Sequence, residues 1–349
     1  MTLDERSQDV RAIIPAMSTE APPPPACPLG HAAPLVPAIP ETTDQFFGVD
    51  GTFSYSMCPT CQTLVLSPRP APHELGRYYA PYYPESLLSQ LRAKAAAGLP
   101  PRGPARLRAI GFLRQLTSIA GRPPPGTRLL DVGCGLGQFP RWVRQLAGLD
   151  VRGLDFDPVC KTFAAEVHGV EVDTGELRQQ RYPDGAFDIV TAWHVMEHVY
   201  DPQTELHEMA RVLKPGGYMM VETPTPSIWM RIFRRRWLYL QAPTHLYHYA
   251  PETLAELMRR AGLEVQLIKR PWFPGELAGS LFLTLGLNGF VPKLFRPGRT
   301  TWQRVLTWLF LMQMIYDLPV SILLALLGKG GIVRIFARKP GPPAWPPQA

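Results

Sequence analysis

The sequence is short of cysteine and of charge: 349 residues carry five cysteines and 19% Asp, Glu, Lys and Arg. Three of the cysteines lie near the N-terminus in a spaced pattern, which is no disulfide framework. The opening residues, MTLDERSQDVRAIIPAM, hold early acids and no apolar core segment. A secretory signal is therefore not expected, and the expected compartment is the cytoplasm, where thiols stay reduced. No segment repeats at solenoid spacing, which excludes repeat architectures. An apolar run of about 20 residues, the requirement for a spanning helix, is missing as well, because Asp317 and Pro319 divide the longest greasy stretch.

What is present is enough for a sizeable core. Hydrophobic residues make up 46% of the chain, which argues against global disorder. The 40 prolines cluster in APPPPACP, LPPRGPARLR, GRPPPGT and KPGPPAWPPQA, read as linkers and tails. Residues 1–25 and 341–349 are thus expected to be disordered, with 71–125 a helical linker or cap. The net charge of +7 tilts toward anionic partners without choosing among membrane, nucleic acid and acidic substrate.

Near the N-terminus, 27-CPLGH-31 and 58-CPTC-61 form two candidate ligand pairs. Paired turns of this kind present four donors to one ion, so Cys27, His31, Cys58 and Cys61 are expected to bind structural zinc in a knuckle over 26–70. A hairpin within DQFFGVDGTFSYSM, turning at Val49-Asp50-Gly51, lies between them with little apolar material of its own. Few basic residues accompany it, so nucleic-acid binding is not expected there.

The richest stretch is 129-LLDVGCGLGQF-139. A strand over Thr127–Val132 ends at Asp131, three glycines follow, and Gln138–Leu146 has helical spacing. The third glycine of a dinucleotide fingerprint is replaced by Gln138, and no Gly-Lys-Ser/Thr follows, which excludes a P-loop. An acid at the strand end repels a pyrophosphate but suits a cation. S-adenosylmethionine, with a sulfonium, an ammonium and no phosphate, fits that electrostatics. Further strands are expected at Val151–Leu154, Val170–Val172, Phe187–Trp193 and GGYMMVETP, alternating with helices. That alternation predicts a doubly wound parallel α/β sheet with ligand groups at the carboxyl ends of its strands.

Together LLDVGCGLGQF, GLDFDP, FDIVTAWHVMEHVYDP and RVLKPGGYMMVETP resemble a class I S-adenosylmethionine-dependent methyltransferase over residues 105–340. The knuckle, with LVLSPRPAPHELGRYYAPYY and PTHLYHYAPETLAELMRRAGLEV, resembles a bacterial subgroup with an N-terminal zinc motif. The resemblance implies a seven-stranded Rossmann-like sheet with an antiparallel last strand. It also implies a cofactor set of Asp131, Gly133, Cys134, Gly135, Gly137, Asp155, Phe156, Glu176, Leu177 and His194. Within it, Asp131, Gly133 and Gly135 attend the methionine end, Asp155 the ribose and Glu176 the adenine.

An in-line methyl transfer to a hydroxyl needs a base beside the acceptor. His194, His198 and His245 are the candidates, His194 first because it leaves the fourth strand toward the substrate side. On a helix, His194, Glu197 and His198 share one face. The region is similar to ubiquinone-pathway O-methyltransferases, in which a Glu-x-x-Glu-His cluster serves a metal. Here His194 replaces the first Glu. Segments diagnostic of amino-methylating DNA enzymes or cytosine-C5 enzymes are absent, so oxygen is the expected acceptor atom, with nitrogen and carbon open.

Between the last two strands, 264-EVQLIKR-270 and 332-IVRIFARK-339, lies a hydrophobic insertion over 275–329, far above ordinary loop length. Both flanking strands belong to one sheet, so the expectation is a helical hairpin lying in the cytoplasmic leaflet of the cell membrane. Lys293, Arg296, Arg299, Arg304, Trp302, Trp308 and 231-RIFRRRW-237 suit an anionic interface. The core is expected over 126–274, with its last strand at 330–340. The expected activity is O-methylation of a small or lipid-linked acceptor, a prenylated phenol or polyprenyl-linked glycan. The alternatives are a non-catalytic S-adenosylmethionine-binding module that anchors a partner and an RNA methyltransferase docking through the knuckle.

Overall fold

A computed structural model describes residues 25–98, 105–287 and 300–345. The tail expected at the N-terminus, all but its last residue, and Lys293, Arg296 and Arg299 lie outside the described residues. The strands are β1 (Val36–Thr42), β2 (Phe53–Met57), β3 (Leu64–Ser67), β4 (Arg128–Val132), β5 (Asp150–Asp155), β6 (Glu171–Thr174), β7 (Phe187–Trp193), β8 (Leu213–Pro224), β9 (Tyr247–His248), β10 (Glu264–Lys269) and β11 (Ile332–Arg338). The helices are α1 (Leu75–Tyr79), α2 (Glu85–Ala96), α3 (Ala105–Ala120), α4 (Gln138–Ala147), α5 (Pro158–Phe163), α6 (Pro202–Val212), α7 (Ile228–Phe233), α8 (Pro251–Arg260), α9 (Glu276–Thr284) and α10 (Thr301–Leu326).

Seven strands form one sheet in the order β10-β11-β8-β7-β4-β5-β6. The pairs β8–β7, β7–β4, β4–β5 and β5–β6 are parallel, and β11 runs antiparallel to both β8 and β10. This is the expected seven-stranded doubly wound sheet. The central strand β7, FDIVTAW, is buried along its whole length, because a parallel strand covered on both faces has no solvent side to alternate toward. On one face, Phe112 of α3 packs between Phe139 of α4 and Phe336 of β11. The other face is covered by α6 and α8 through Leu206, Met209, Leu254 and Leu257.

The knuckle forms a second, four-stranded sheet in the order β1-β2-β3-β9. Its first strand lies earlier than the sequence suggests. DQFF makes no strand, because the Asp44 carboxylate accepts hydrogen bonds from the backbone amides of Phe46, Phe47 and Val49 and folds that stretch into a turn. The fourth strand, β9, comes from the core, almost 200 residues along the chain.

In the insertion, α10 is one continuous helix of 26 residues, so Asp317 and Pro319 do not divide it. By length and composition it is the one helix among the described residues capable of crossing a membrane. Burial raises the Asp317 carboxyl, and the inward-turned side chain is tolerated because the Ser321 hydroxyl donates to it at 3.2 Å and the amides of Leu277, Ala278 and Gly275 at the start of α9 offset part of that cost. The helix is inside out. Polar Thr307, Asp317 and Ser321 are buried against the protein, while Trp302, Trp308, Ile315, Tyr316, Leu323 and Leu326 face outward. The two helices meet through Phe282 and Phe310, whose rings stand edge to face at 5.1 Å.

The aromatic layer under α3 gives a direct stability test. Phe112→Ala removes a fully buried ring and is expected to cost about 3–5 kcal/mol in urea unfolding. Leu107→Ala on the same helix, 70% exposed, should stay within about 0.5 kcal/mol. Equal effects would mean that α3 does not pack as described.

Candidate active site and metal cluster

The carboxyl ends of β4, β5, β6 and β7 open into a cavity of about 850 Å³. Asp131, Gly133, Cys134, Gly135, Asp155, Phe156, Glu176, Leu177 and His194 line it, as do His198 and His245. Gly137 does not. It takes a left-handed φ of +76° as the residue before α4, and a Cβ there would meet the Ala164 Cβ at 2.7 Å. Gly133, at φ +67°, lies so close to Val195 that a Cβ would come within 2.3 Å of its methyl group.

The two strand-end acids are buried in the cavity wall. Asp155 accepts from the amides of Gly135 at 2.8 Å and Asp157 at 3.0 Å, so it braces the glycine loop. Burial nevertheless pushes its carboxyl up to about 6. Asp131 accepts from the Thr191 hydroxyl at 2.6 Å, and burial raises it to about 7. Both are acids that a cationic ligand would stabilise in the ionised form. Glu176 lines the far end, paired with Arg178 at 2.6 Å.

His194, Glu197 and His198 do not share a helical face. His194 adopts φ +54°, and Met196–His198 form a single 3-10 turn. Burial alone would lower the His194 value. Instead Nδ1 meets Glu197 at 3.3 Å, Nε2 meets Glu222 at 3.5 Å, and the two carboxylates raise it to about 9. An imidazolium with both nitrogens turned to carboxylates has no lone pair, so the expected proton-accepting role of His194 is not available to it. Glu222 is in turn clamped by Arg334 at 2.6 Å, which with His194 overcomes burial and holds its carboxyl at about 2.

His198 and His245 differ. Burial lowers both, so each is neutral near pH 7. Nδ1 of His198 donates to the Thr244 carbonyl at 2.7 Å and also lies 3.0 Å from the Tyr79 hydroxyl, and Nδ1 of His245 donates to the Tyr239 carbonyl at 2.8 Å. A carbonyl only accepts, so the proton sits on Nδ1 and each Nε2 keeps a lone pair. The two rings stand edge to face, 4.8 Å apart. Their nitrogens and a Glu197 oxygen lie within 4.8 Å of one another.

Several lining residues escaped the sequence reading. Arg108 of α3 stands over the Trp193 ring at 5.0 Å and favours the ionised form of Asp131. Tyr79, Tyr82 and Tyr83 roof the glycine loop, and Tyr79 packs edge-on against Phe156 at 4.8 Å. Tyr239 Oη and Trp193 Nε1 are buried in the lining without a hydrogen-bond partner. The run RYYAPYY signals aromatic density, but only the fold says that it closes over the cavity.

The N-terminal cluster is separate. Ligand atoms of Cys27, His31, Cys58 and Cys61 all lie within 4.8 Å of one another. Sγ of Cys27 is 3.6 Å from Sγ of Cys61 and 3.3 Å from Nδ1 of His31. Ligands at tetrahedral corners about 2.3 Å from an ion stand about 3.7 Å apart, so this donor set fits one.

His194→Gln is expected to lose about 3 kcal/mol, because it leaves two buried carboxylates without their shared cation. A raised value stabilises the fold fully below the ordinary 6.5 and loses that contribution as pH rises through about 9. The stability gap between wild type and variant should therefore be largest below pH 6.5 and close toward high pH. A gap independent of pH would refute the imidazolium.

Comparison with known proteins places this geometry. A family profile described as a methyltransferase domain matches residues 105–268. The ubiquinone biosynthesis O-methyltransferase of Xanthomonas axonopodis pv. citri (strain 306) is 32% identical over 170 residues, 43% of this chain and 69% of that protein. That of Xanthomonas euvesicatoria pv. vesicatoria (strain 85-10) is 32% identical over 168 residues, 42% of this chain and 68% of the relative. Among solved structures, a putative sarcosine dimethylglycine methyltransferase from Galdieria sulphuraria has a TM-score of 0.46 at 18% identity, covering 67% of this chain and 86% of its own.

Proposed function

The chain belongs to the S-adenosylmethionine-dependent methyltransferases, and from that premise we propose that it methylates an oxygen of a small or lipid-linked acceptor at a membrane surface. One observation carries the acceptor chemistry: two neutral imidazoles, His198 and His245, face the same cavity as Asp131 and Asp155. When bound, the cofactor supplies an electrophilic methyl carbon and a thioether leaving group. Asp131 would hold the cofactor's ammonium, Asp155 its ribose hydroxyls and Glu176 its adenine. Arg108 is the cation suited to the methionine carboxylate. The aromatic roof of Tyr79, Tyr82 and Tyr83 excludes water and attracts the sulfonium through ring faces. Nε2 of His198 or His245 takes the proton of the acceptor hydroxyl. His194 remains a fixed positive charge that holds Glu197 and Glu222.

The cysteine–histidine cluster takes one structural zinc in this reading. Its donor set and spacing support it. The support for the membrane surface is the outward apolar face of α10, with exposed Arg231, Arg234 and Arg235 on and just after α7, which packs against α9. The relatives' role in ubiquinone biosynthesis suggests a prenylated phenol as one acceptor class. A polyprenyl-linked glycan is the other.

Methyl-labelled S-adenosylmethionine incubated with purified protein and fractionated lysate tests the acceptor. Label should enter the membrane-lipid fraction, and its confinement to water-soluble products would remove the lipid-linked reading. Asp155→Ala is expected to weaken cofactor binding at least about tenfold, roughly the worth of a charged hydrogen bond. Because Asp131 titrates near 7 in the free protein, cofactor binding below that pH should release protons. Calorimetry in buffers of different ionisation enthalpy reads that release, and identical heats would dismiss the Asp131–ammonium pair.

A further inference from the structure

The loop that carries His245 is built jointly by two parts of the chain. Residues 239–249 leave the core, cross the cavity wall and end in β9, which pairs with β3 through Leu64↔His248 and Val65↔Tyr247. One side of this loop holds the 3-10 turn: Leu246 N–H donates to the Glu197 carbonyl at 2.7 Å, and the Thr244 carbonyl accepts from His198. On the other side lies the N-terminal sheet, and one side chain reaches across. Tyr55 of β2 is fully buried, and its one hydroxyl proton is shared between the carbonyls of Leu240 at 2.9 Å and His245 at 2.8 Å. Between those carbonyls Gln241 sits at φ +39°, a conformation that a non-glycine residue keeps only when its surroundings hold it.

We infer that Tyr55 is a positioning residue for the acceptor site, and that the N-terminal sheet is the wall that fixes His198 and His245 in their working orientation. The inference rests on the proposed assignment of those two histidines to the acceptor side. The logic is geometric. An imidazole offers its Nε2 lone pair only while its Nδ1 proton has an acceptor in place. The two carbonyl acceptors are those of Tyr239, directly before the segment whose ends Tyr55 ties down, and of Thr244, within it. Releasing that segment frees both carbonyls to turn and lets the rings exchange tautomers. The cofactor contacts lie on β4, β5 and the loop after β6, none of which Tyr55 bonds, so the cofactor should be insensitive to the change.

The test uses the full chain with S-adenosylhomocysteine and isotope-labelled imidazole nitrogens, assigned with His198→Gln and His245→Gln. In the wild type both rings are expected as the single neutral Nδ1–H form. Tyr55→Phe should convert one or both to a mixture of tautomers while calorimetric affinity for S-adenosylhomocysteine stays unchanged. Thr63→Val, which breaks the hydrogen bond from Thr63, directly before β3, to Thr253 of α8, is the control and should leave the rings alone. Unaltered rings in Tyr55→Phe would overturn the inference, as would the same change in Thr63→Val. Should Tyr55→Phe fold poorly, a ring-fluorinated tyrosine at this position strengthens the donor. It should then move the carbonyl resonances of Leu240 and His245, and unmoved carbonyls count against the inference. Charged rings in the wild type would instead defeat the base assignment, leaving the Tyr55 hydrogen bonds to be judged by those carbonyls.

Discussion

Four charges in alternating sign run through the centre of the molecule, from Arg334 on β11 to Glu222 on β8, then His194 after β7 and Glu197 in the 3-10 turn. Arg334 reaches Gln115 of α3 at 2.8 Å, and Thr223 donates to Glu197 at 2.8 Å. Removing ions from water costs several kcal/mol each, and pairing offsets that cost only when every member is present. Two cations and two anions balance here. The ladder therefore couples the last strand of the sheet to the rim of the cavity, and holds His194 in a left-handed conformation that a non-glycine residue otherwise avoids. The site is set by the completed sheet, since Arg334 lies near the C-terminus.

The glycine-loop wall of the cavity was legible because each element is local: strand, acid, glycine turn and helix follow one another within about a dozen residues. Asp155 could be read the same way from its place at the end of the next strand. His194 was harder. Its position after β7 points it at the substrate side, but its chemistry depends on Glu222, which is contributed by another strand and becomes a neighbour only through sheet pairing. Arg108 was invisible for a similar reason: nothing in ARLRAIGF distinguishes it from Arg106 until α3 is laid beside Asp131.

The insertion illustrates a subtler limit. Its apolar composition was plain, and Asp317 read as an interruption because an apolar run offers a charge little. Its partners are the Ser321 hydroxyl one turn further on and the amino end of α9, brought alongside by the helix pair. Once Asp317, Thr307 and Ser321 are seen on the inner side, the outward face is more apolar than the inner one, the reverse of a helix packed on a water-soluble protein.

The two-residue strand β9 has a consequence for the order in which the chain can assemble. Until it arrives, β3 is an open edge with unpaired amides and carbonyls, the kind of surface on which strands of other chains add. Its partner is made only after the glycine loop, the central strands and the 3-10 turn, about 180 residues later. During synthesis at ribosomal rates this leaves the N-terminal unit incomplete for about 10–40 seconds. The cysteine–histidine cluster brings donors from before β1 and from between β2 and β3 to one point, so an ion held there would tie the early strands together through that interval.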